Sequence, residues 1–559
     1  MLRFDNPVLN RELLVNLRTM RAFVLLFLYI AVLAVVVYFA WPNTDRLRIS
    51  ESPETTRNLV DLFFLGQYVL ASLMAPSFAA GAITGEKERK TYEMLLASPL
   101  TPSAIVWGKL VAALTHLAIL IFCSLPVVML CLPLGGVSLY EVLAAYLVLF
   151  CSVVTFGMIS VASGSFFSRI SSSLVVSYLL ILILAICVVT FWWSLRTFGE
   201  TRIILSVVLI PGISAAITIP LFYLTAARLL YPPDMGSEGN EVVNLETESE
   251  KAIGLVIQRD QFPDKLFAPP KRETLMKDGT NPVYDKEMRS EIFGQGTLML
   301  RLAIQISMVL AIPLMAIFLY IYRSMAPFYI CYVVVFNILV GPVFTSGSVT
   351  GERERQTLDL LLTTTITPWQ ILKGKLISGL RVSSVLTSFL LWPVLLALVM
   401  VPDYWANFPS ILAYLLIVLL TCITTSMLAL FFSTVFHKSS TSLIATYMAI
   451  LALFVVPLAM NYFAGTFFEE APARPYIYAS TVTSPFMAAD QVPIYADDFL
   501  DKERWSRASV GELQFFGYPL ADLRHFGGYV GFAVFLNTCL FLAMIWMFNS
   551  RWRVSTSTG

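Results

Sequence analysis

Two nearly identical charged segments hold the residues whose types and spacing suggest a specific function. TGEKERKTYEMLLASPLTPSAIVWGKL occupies 84–110, and TGERERQTLDLLLTTTITPWQILKGKL occupies 350–376. Fourteen of the 27 aligned positions are identical. In both segments glutamates alternate with lysines or arginines, an order that suits ion pairing and lacks the paired nucleophile and base of covalent catalysis. One such cluster alone would indicate a solvated loop, whereas its repetition favours a docking function.

Neither segment contains a nucleotide site. A P-loop requires the pattern G-x-x-x-x-G-K-[ST], whose backbone amides hold phosphates. The Gly-Lys pairs at 108–109 and 374–375 are each followed by leucine, and Ser103 and Trp369 stand where the first glycine should be. We therefore predict that this chain is not an enzyme and binds no nucleotide, metal or other cofactor. Any ATPase activity that drives it is expected in a separate subunit.

Ionisable residues are scarce inside the apolar runs of the chain, which argues against a proton or sodium relay. His116 is the clearest exception, and a lone histidine there is more often hydrogen-bonded to a neighbouring helix. Lys109, Lys373, Lys375 and Arg381 fall near the starts of two apolar runs, where we expect their long side chains to extend toward water. The seven cysteines have no metal-ligand spacing and resemble small buried hydrophobic residues.

The elements that must position the charged segments are membrane helices. The chain is 57% hydrophobic and 13% charged, whereas a soluble domain carries about 25% charged residues. A helix needs roughly 20 apolar residues to cross a bilayer. Twelve runs meet this requirement and are numbered here as predicted spans 1–12: 20–41, 62–83, 103–132, 140–165, 173–194, 203–227, 299–321, 327–349, 369–400, 409–435, 441–462 and 526–548.

The distribution of basic residues predicts the orientation. An even number of spans places both termini on one side, and the segments assigned to that side carry most of the lysines and arginines near span ends. We therefore expect cytoplasmic termini in the cell (inner) membrane of a prokaryote. The charged segments then lie in the cytoplasm, after spans 2 and 8.

The chain is an internal duplication. Besides the charged segments, Asn6-Pro7-Val8 recurs as Asn281-Pro282-Val283, and a weaker echo pairs Phe166-Phe167-Ser168 with Phe431-Phe432-Ser433 and Ser173-Leu174 with Ser442-Leu443. We predict a first six-span repeat at 1–230, a cytoplasmic linker at 231–280 and a second repeat at 281–559. Parallel repeats of this kind commonly hold a substrate path between them.

Two local elements occur once in each repeat. Asn-Pro starts a short helix before the first span, and its amphipathic pattern favours an interfacial elbow helix over an ordinary leader. In the charged segment, Gly85 or Gly351 is expected to end a membrane helix. A short amphipathic helix follows, and Thr101-Pro102 or Thr367-Pro368 caps the next span.

These features resemble the membrane permease of ABC-2 type exporters over essentially the whole chain. The resemblance rests on the elbow helix and on T-G-E-[KR]-E-R-x-T-x-[ED]-x-L-L followed by T-P and G-K-L. It implies an all-α membrane protein with two cytoplasmic coupling helices, an ATP-binding partner present as two copies or a heterodimer, and ATP and Mg used by that partner. The docking residues that it implies are Glu86, Lys87, Glu88, Arg89, Thr91, Glu93, Leu95, Leu96, Glu352, Arg353, Glu354, Arg355, Thr357, Asp359, Leu361 and Leu362.

Other readings stay open at this stage. Thr155, Ser160, Thr424 and Thr425 are candidate pathway residues, although close helix packing explains them as well. The aromatic and acidic segment 463–525 is expected outside the cell, as an exit lid, a platform for an outer partner or a structural cap. The alternatives are a mechanotransmitting subunit acting on that outer partner and an ion-coupled carrier. No nucleic-acid partner is indicated, and the sequence does not identify the substrate.

Overall fold

The computed structural model describes residues 7–17, 27, 29–31, 33, 53–88, 90–129, 132, 137–167, 170–195, 199–230, 281–289, 297–467, 474–492, 514–515 and 518–549. These residues are helical almost throughout; one two-residue antiparallel pair, Gln514–Phe515 with Tyr518–Pro519, is the strand structure among them. They include eleven helices long and apolar enough to cross a membrane, which confirm predicted spans 2–12. Predicted span 1 lies almost wholly outside the described residues.

Most helix boundaries follow the predicted spans to within a few residues, whereas the helices of spans 2 and 12 begin nine and six residues before the predicted starts, at Pro53 and Leu520. The helices before residue 280 are Pro7–Leu17, Pro53–Ala79, Gly81–Glu88, Tyr92–Leu96, Pro102–Met129, Leu139–Phe166, Ile170–Ser194 and Gly199–Leu230. The later α-helices are Pro282–Arg289, Thr297–Met315, Ala326–Ser346, Thr350–Glu354, Leu358–Leu362, Pro368–Met400, Pro402–Ala406, Phe408–Val435, Ser439–Ile450, Val456–Phe467, Arg474–Ser480, Pro485–Gln491 and Leu520–Asn549.

Internal contacts divide the chain into two compact units. The first comprises Met1–Pro233 with Tyr462–Arg474, and the second comprises Asp234–Asn461 with Pro475–Gly559. In the first unit, span 4 is central and packs on spans 2, 3, 5 and 6. In the second unit, span 10 is central and packs on spans 8, 9, 11 and 12. Each unit therefore buries the fourth helix of its repeat.

The second unit contains a buried polar cluster that the first repeat does not reproduce. In the second unit, the buried Asn337 amide donates to Thr387 Oγ1 at 3.2 Å and accepts from Thr425 Oγ1 at 3.3 Å. The repeat offset aligns Asn337 and Thr387 with Ala71 and Ile121 of the first repeat. Because a buried polar group must be hydrogen-bonded to avoid a desolvation cost, the three side chains fix the packing of spans 8, 9 and 10.

Two helices of the second unit widen into π-helical turns, at Ala316–Ile321 and Leu451–Val455. Such turns shift the backbone hydrogen bonds, and side chains from outside each helix bind carbonyls there. Tyr404 donates to the Leu319 carbonyl at 2.8 Å, and Thr483 donates to the Leu453 carbonyl at 2.6 Å.

Within the segment 463–525, the described stretch 474–492 forms short helices that pack on spans 8, 10 and 12. Thr481, Ala488 and Ala489 are buried there, and the Tyr414 hydroxyl of span 10 donates to the Val492 carbonyl at 3.1 Å. This stretch is thus held by packing and hydrogen bonds of the second unit. The neighbouring 493–513 lies outside the described residues.

Candidate functional site

The two charged segments fold into the same loop, which we call the first repeated loop (Glu86–Leu96) and the second repeated loop (Glu352–Leu362). The prediction that glycine ends the membrane helix is wrong: the long helices end earlier, at Ala79 and Ser346, and Gly85 and Gly351 lie inside the short helices Gly81–Glu88 and Thr350–Glu354 that follow. The chain reverses two residues later at Lys90 and Gln356, both with φ of 57°. A glycine inside a helix costs only about 1 kcal/mol, so it does not by itself stop one.

The first glutamate of each loop closes the turn from inside. Glu86 accepts from the Thr91 hydroxyl through one carboxylate oxygen and from Lys109 Nζ through the other, at 3.2 Å. Glu352 accepts from the Thr357 hydroxyl in the same way and lies 3.5 Å from Lys375 Nζ. Each glutamate thereby joins its loop to the start of span 3 or span 9.

The short helix before the first span of each repeat, predicted above as the elbow helix, forms an ion pair with the same lysine. Lys375 Nζ lies 2.8 Å from Glu287 of the elbow helix Pro282–Arg289, and Lys109 Nζ lies 3.9 Å from Glu12 of the helix Pro7–Leu17. The lysine side chains are only 1% and 3% exposed. Contrary to expectation, they do not extend toward water. They are the centres of ion-pair clusters that join elbow helix, repeated loop and span.

A repeated spacing in the sequence is the signal from which this cluster could have been predicted. The glutamate and lysine are separated by 23 residues in both repeats, within the conserved pattern of the duplication itself. The glutamate and the lysine lie on different helices, and they meet because the ends of those helices pack against each other. In the second unit, Lys286 of the elbow helix also pairs with Glu352 at 2.8 Å.

The basic residue of each loop binds the end of the central helix. Lys87 Nζ donates to the carbonyls of Gly164, Ser165 and Phe167 at 2.7–3.1 Å, where span 4 ends. In the second unit, Arg353 donates to the carbonyls of Thr434 and Phe436 at 2.7 Å, where span 10 ends. A cation at a helix C-terminus satisfies its last carbonyls and its dipole.

The second glutamate binds the beginning of the next helix. Glu88 Oε1 accepts from the Ile170 backbone N–H at 2.9 Å, and Glu354 Oε1 accepts from the Ser439 N–H at 3.0 Å. Glu354 Oε2 also accepts from the Ser439 hydroxyl at 3.1 Å. Anions stabilise helix N-termini, so the alternating charges of the loop match the two helix ends that they face.

These contacts also correct the weaker echo in the sequence. Phe167 and Phe436 are the equivalent residues that follow the central helices, and they accept from the equivalent basic side chains. The predicted pairing of Phe166-Phe167 with Phe431-Phe432 is therefore displaced by four residues. The pairing of Ser173 with Ser442 agrees with the structure. It has the same offset as Ile170 and Ser439, whose backbone N–H groups bind Glu88 and Glu354.

The loops also present an outward face. Met94 is 76% exposed and Leu360 is 68% exposed, although both are large and apolar. Each is preceded by an exposed acid, Glu93 or Asp359. The outward face of each loop is thus an apolar side chain beside a carboxylate, at the same position in both repeats.

The remaining apolar residues of the loops point inward. Leu358, Leu361 and Leu362 pack in a cluster with residues of spans 9, 10 and 12, while Leu95 and Leu96 are half-buried. Tyr92 is buried beneath Lys87, whose Nζ lies 5.6 Å from the ring centroid. Burial raises the pKa of the Tyr92 hydroxyl, and the Arg228 guanidinium acts in the opposite direction.

The predicted docking residues therefore separate into two groups. Most of the charged and threonine side chains bind within the fold, while Glu93, Asp359 and Arg355 are exposed on the outside. Arg89 lies outside the described residues. The four candidate pathway residues are all buried, and their hydroxyls bind within and between helices: Thr155 with Ser214, Ser160 with Phe156, Thr424 with Asn537, and Thr425 with Asn337.

The glycine of the G-K-L motif permits the elbow helix to approach span 9. A Cβ at Gly374 would lie 3.0 Å from Tyr284 N and 3.1 Å from Val283 Cβ. Asn281 caps this elbow helix by accepting from the Val283 N–H, and its amide donates to the Gln370 carbonyl. The close contact therefore fixes the elbow helix against the span.

We expect Gly374→Ala to lower the stability of the purified protein by about 1–2 kcal/mol, because overpacking displaces backbone. Gly351→Ala is the matched control, since a Cβ there has nothing within 4 Å and alanine favours helix. Thermal unfolding in detergent measures both. Equal melting temperatures for the two variants would contradict the proposed contact.

A comparison with protein families supplies independent information on the whole chain. The family model described as ABC-2 family transporter protein matches residues 7–195 and 200–545. The two segments cover both repeats, including both repeated loops. A separate comparison with curated proteins found no match.

Proposed function

The chain belongs to the ABC-2 family of transporter proteins, and from this premise we propose that it is the permease of an ATP-driven exporter. A separate pair of ATP-binding subunits, two copies or a heterodimer, hydrolyses ATP with Mg. These subunits dock on the two repeated loops. Both termini then lie in the cytoplasm, and the protein lies in the inner membrane of a prokaryote.

The observation that carries the proposal is the identical bracing of the two loops. In each unit, one loop is bonded to the start of the following span, to the end of the central helix and to the start of the next helix, and the span lysine that binds the loop also pairs with the elbow helix. A loop held at three points moves only together with the helices that hold it. A displacement applied to its outward face is therefore transmitted to three spans.

The outward face indicates the chemistry of the motor surface. Met94 and Leu360 need an apolar groove to leave water, which is worth about 1.5–3 kcal/mol for each side chain. Glu93 and Asp359 need basic residues at the rim of that groove. We propose that ATP binding closes the motor pair, that the two loops move with it, and that this movement opens a path for export.

Site-specific photo-crosslinking tests the docking. We expect p-benzoylphenylalanine at Leu360 or Met94 to crosslink to a P-loop ATPase that purifies with the chain. The same group at Val208 is the matched control. Val208 is also 68% exposed, but it lies in span 6, which we predict to cross the membrane. Crosslinks from Val208 and none from Leu360 would overturn the docking proposal.

The same purified material separates the alternatives. We expect ATP hydrolysis by the complex and none by the chain alone. An ion-coupled carrier would instead move solute from proteoliposomes of the chain alone under a proton or sodium gradient. A mechanotransmitting subunit would hydrolyse ATP in complex but lose its function when an outer partner is removed. Either result would replace the exporter proposal.

A further inference from the structure

Four charged side chains converge in the first unit at the ends of spans opposite to the repeated loop. Arg57 and Asp61 lie near the start of span 2, Glu141 at the start of span 4 and Arg202 at the start of span 6. Arg202 Nη2 lies 3.3 Å from Asp61 Oδ1, and Arg57 Nη2 lies 3.5 Å from Glu141 Oε1. The two pairs line one cleft together with Trp192, Phe64 and Ser206.

Arg202 forms the buried wall of this cleft. Its side chain is 4% exposed, and its guanidinium stacks on the Trp192 ring at 3.8 Å from the centroid. Its Nε is buried and has no hydrogen-bond partner among the described residues. A buried donor without an acceptor is costly, and an acceptor oxygen entering the cleft would satisfy it.

The other three charges are fixed but reachable. The side chains of Arg57, Asp61 and Glu141 are 28%, 20% and 20% exposed. Glu141 is held by the capping box of span 4, in which its Oε2 accepts from the Ser138 backbone N–H at 3.2 Å. Charges held in this way present a preformed arrangement to a ligand, so binding does not need to order them.

The two carboxylates of the cleft are not repeated in the second unit, whereas the repeat offset aligns Arg57 with Arg323. The central helices of the two repeats have the same length, and Ser410 of the second aligns with Glu141 of the first. The repeat offset likewise aligns Asp61 with Pro327. The duplicated helices therefore form in the second unit without these two carboxylates.

We propose that this cleft binds a zwitterionic phosphate–ammonium head group, as in phosphatidylethanolamine of the adjacent leaflet. Two guanidiniums face the phosphate, since arginine forms strong charge-assisted bonds to phosphate oxygens. Asp61 and Glu141 face the ammonium. The cleft holds two positive and two negative side chains, so it favours a head group that carries one positive and one negative charge. An anionic head group would bring its negative charge near the two carboxylates with no ammonium to offset it.

The surface beside the cleft suits the acyl chains of such a lipid. Leu205 and Leu209, one and two turns along span 6 from Arg202, are 39% and 41% exposed. A head group at Arg202 would therefore place its chains along an apolar helix face. The inference is independent of the docking proposal, because the cleft lies at the opposite span ends.

Lipid binding to the full chain tests the proposal, with native mass spectrometry or thermal stabilisation as the readout. We expect phosphatidylethanolamine to bind about tenfold more tightly than phosphatidylglycerol of the same acyl chains, a difference of the size that one lost ion pair produces. Arg202→Gln should abolish the preference, and the milder Arg57→Gln should reduce it. Lys373→Gln, an exposed change near the repeated loop of the second unit, should leave it unchanged.

A competition measurement distinguishes a membrane lipid from a soluble ligand. Soluble phosphoethanolamine that competes with the lipid would support the same head-group chemistry and show that a free zwitterion also enters. Equal binding of the two lipids, or an unchanged preference in folded Arg57→Gln protein, would overturn the proposal and leave the charges as a structural network. Normal melting of Arg57→Gln protein keeps that result interpretable if Arg202→Gln fails to fold.

Discussion

Replacing Lys375 with methionine is expected to lower the stability of the protein by about 3 kcal/mol, since removing one partner of a buried pair strands the other charge. Lys375 Nζ contacts Glu287, Glu352 and the Ser348 carbonyl, which belong to the elbow helix, the repeated loop and the end of span 8. Methionine keeps the volume but leaves two carboxylates without their shared cation. The loop should then move independently of span 9.

Thermal unfolding and ATP hydrolysis of the motor complex measure the two parts of this expectation. We expect a lower melting temperature, and hydrolysis that no longer responds to the state of the permease. Lys373→Met is the matched control, because Lys373 lies two residues away and is exposed.

A triple variant separates the effect of the two unpaired carboxylates from the effect of losing the lysine. Lys375→Met combined with Glu287→Gln and Glu352→Gln removes the stranded charges, so it should recover stability without recovering coupling. If Lys375→Met and Lys373→Met melted at the same temperature, the buried cluster would not be the structural centre that we describe.

Replacing Met94 and Leu360 together with arginine is expected to abolish association with the motor while leaving the permease folded. Both side chains are exposed, so the substitution costs the isolated permease little. In the complex it would bury two cations in apolar grooves that have basic rims. Losing two buried apolar anchors alone costs roughly 3–6 kcal/mol, a weakening of more than a hundredfold.

Co-purification with the ATPase and the melting temperature of the permease alone provide the measurement. Charge reversal at Glu86 and Glu352 is the informative comparison. The sequence suggests these glutamates as docking residues, but the structure shows that they bind Thr91, Lys109, Thr357 and Lys375 inside the fold. Their reversal should therefore reduce stability as well as association. Retained association in the Met94 and Leu360 double variant would locate the docking surface elsewhere.

Much of the architecture was determined by the sequence alone. A bilayer-spanning helix needs a long apolar run because its backbone must satisfy its own hydrogen bonds, and such runs are visible without any structure. Eleven predicted spans coincide with helices of the described chain. The duplication is equally visible, because the loop at 84–110 and its copy at 350–376 retain their length and charge order.

The roles of individual charges were decided only by the tertiary structure. The sequence places Glu352, Lys375 and Glu287 on three separate elements, and apart from the repeated 23-residue spacing of the glutamate and the lysine nothing in it indicates that they meet. Their ion pairs depend on how helix ends pack, and packing also determines that Leu361 faces inward while its neighbour Leu360 faces outward. Hydropathy reports the transfer of each residue from water to lipid, whereas the direction of a side chain depends on the neighbours that the fold brings to it.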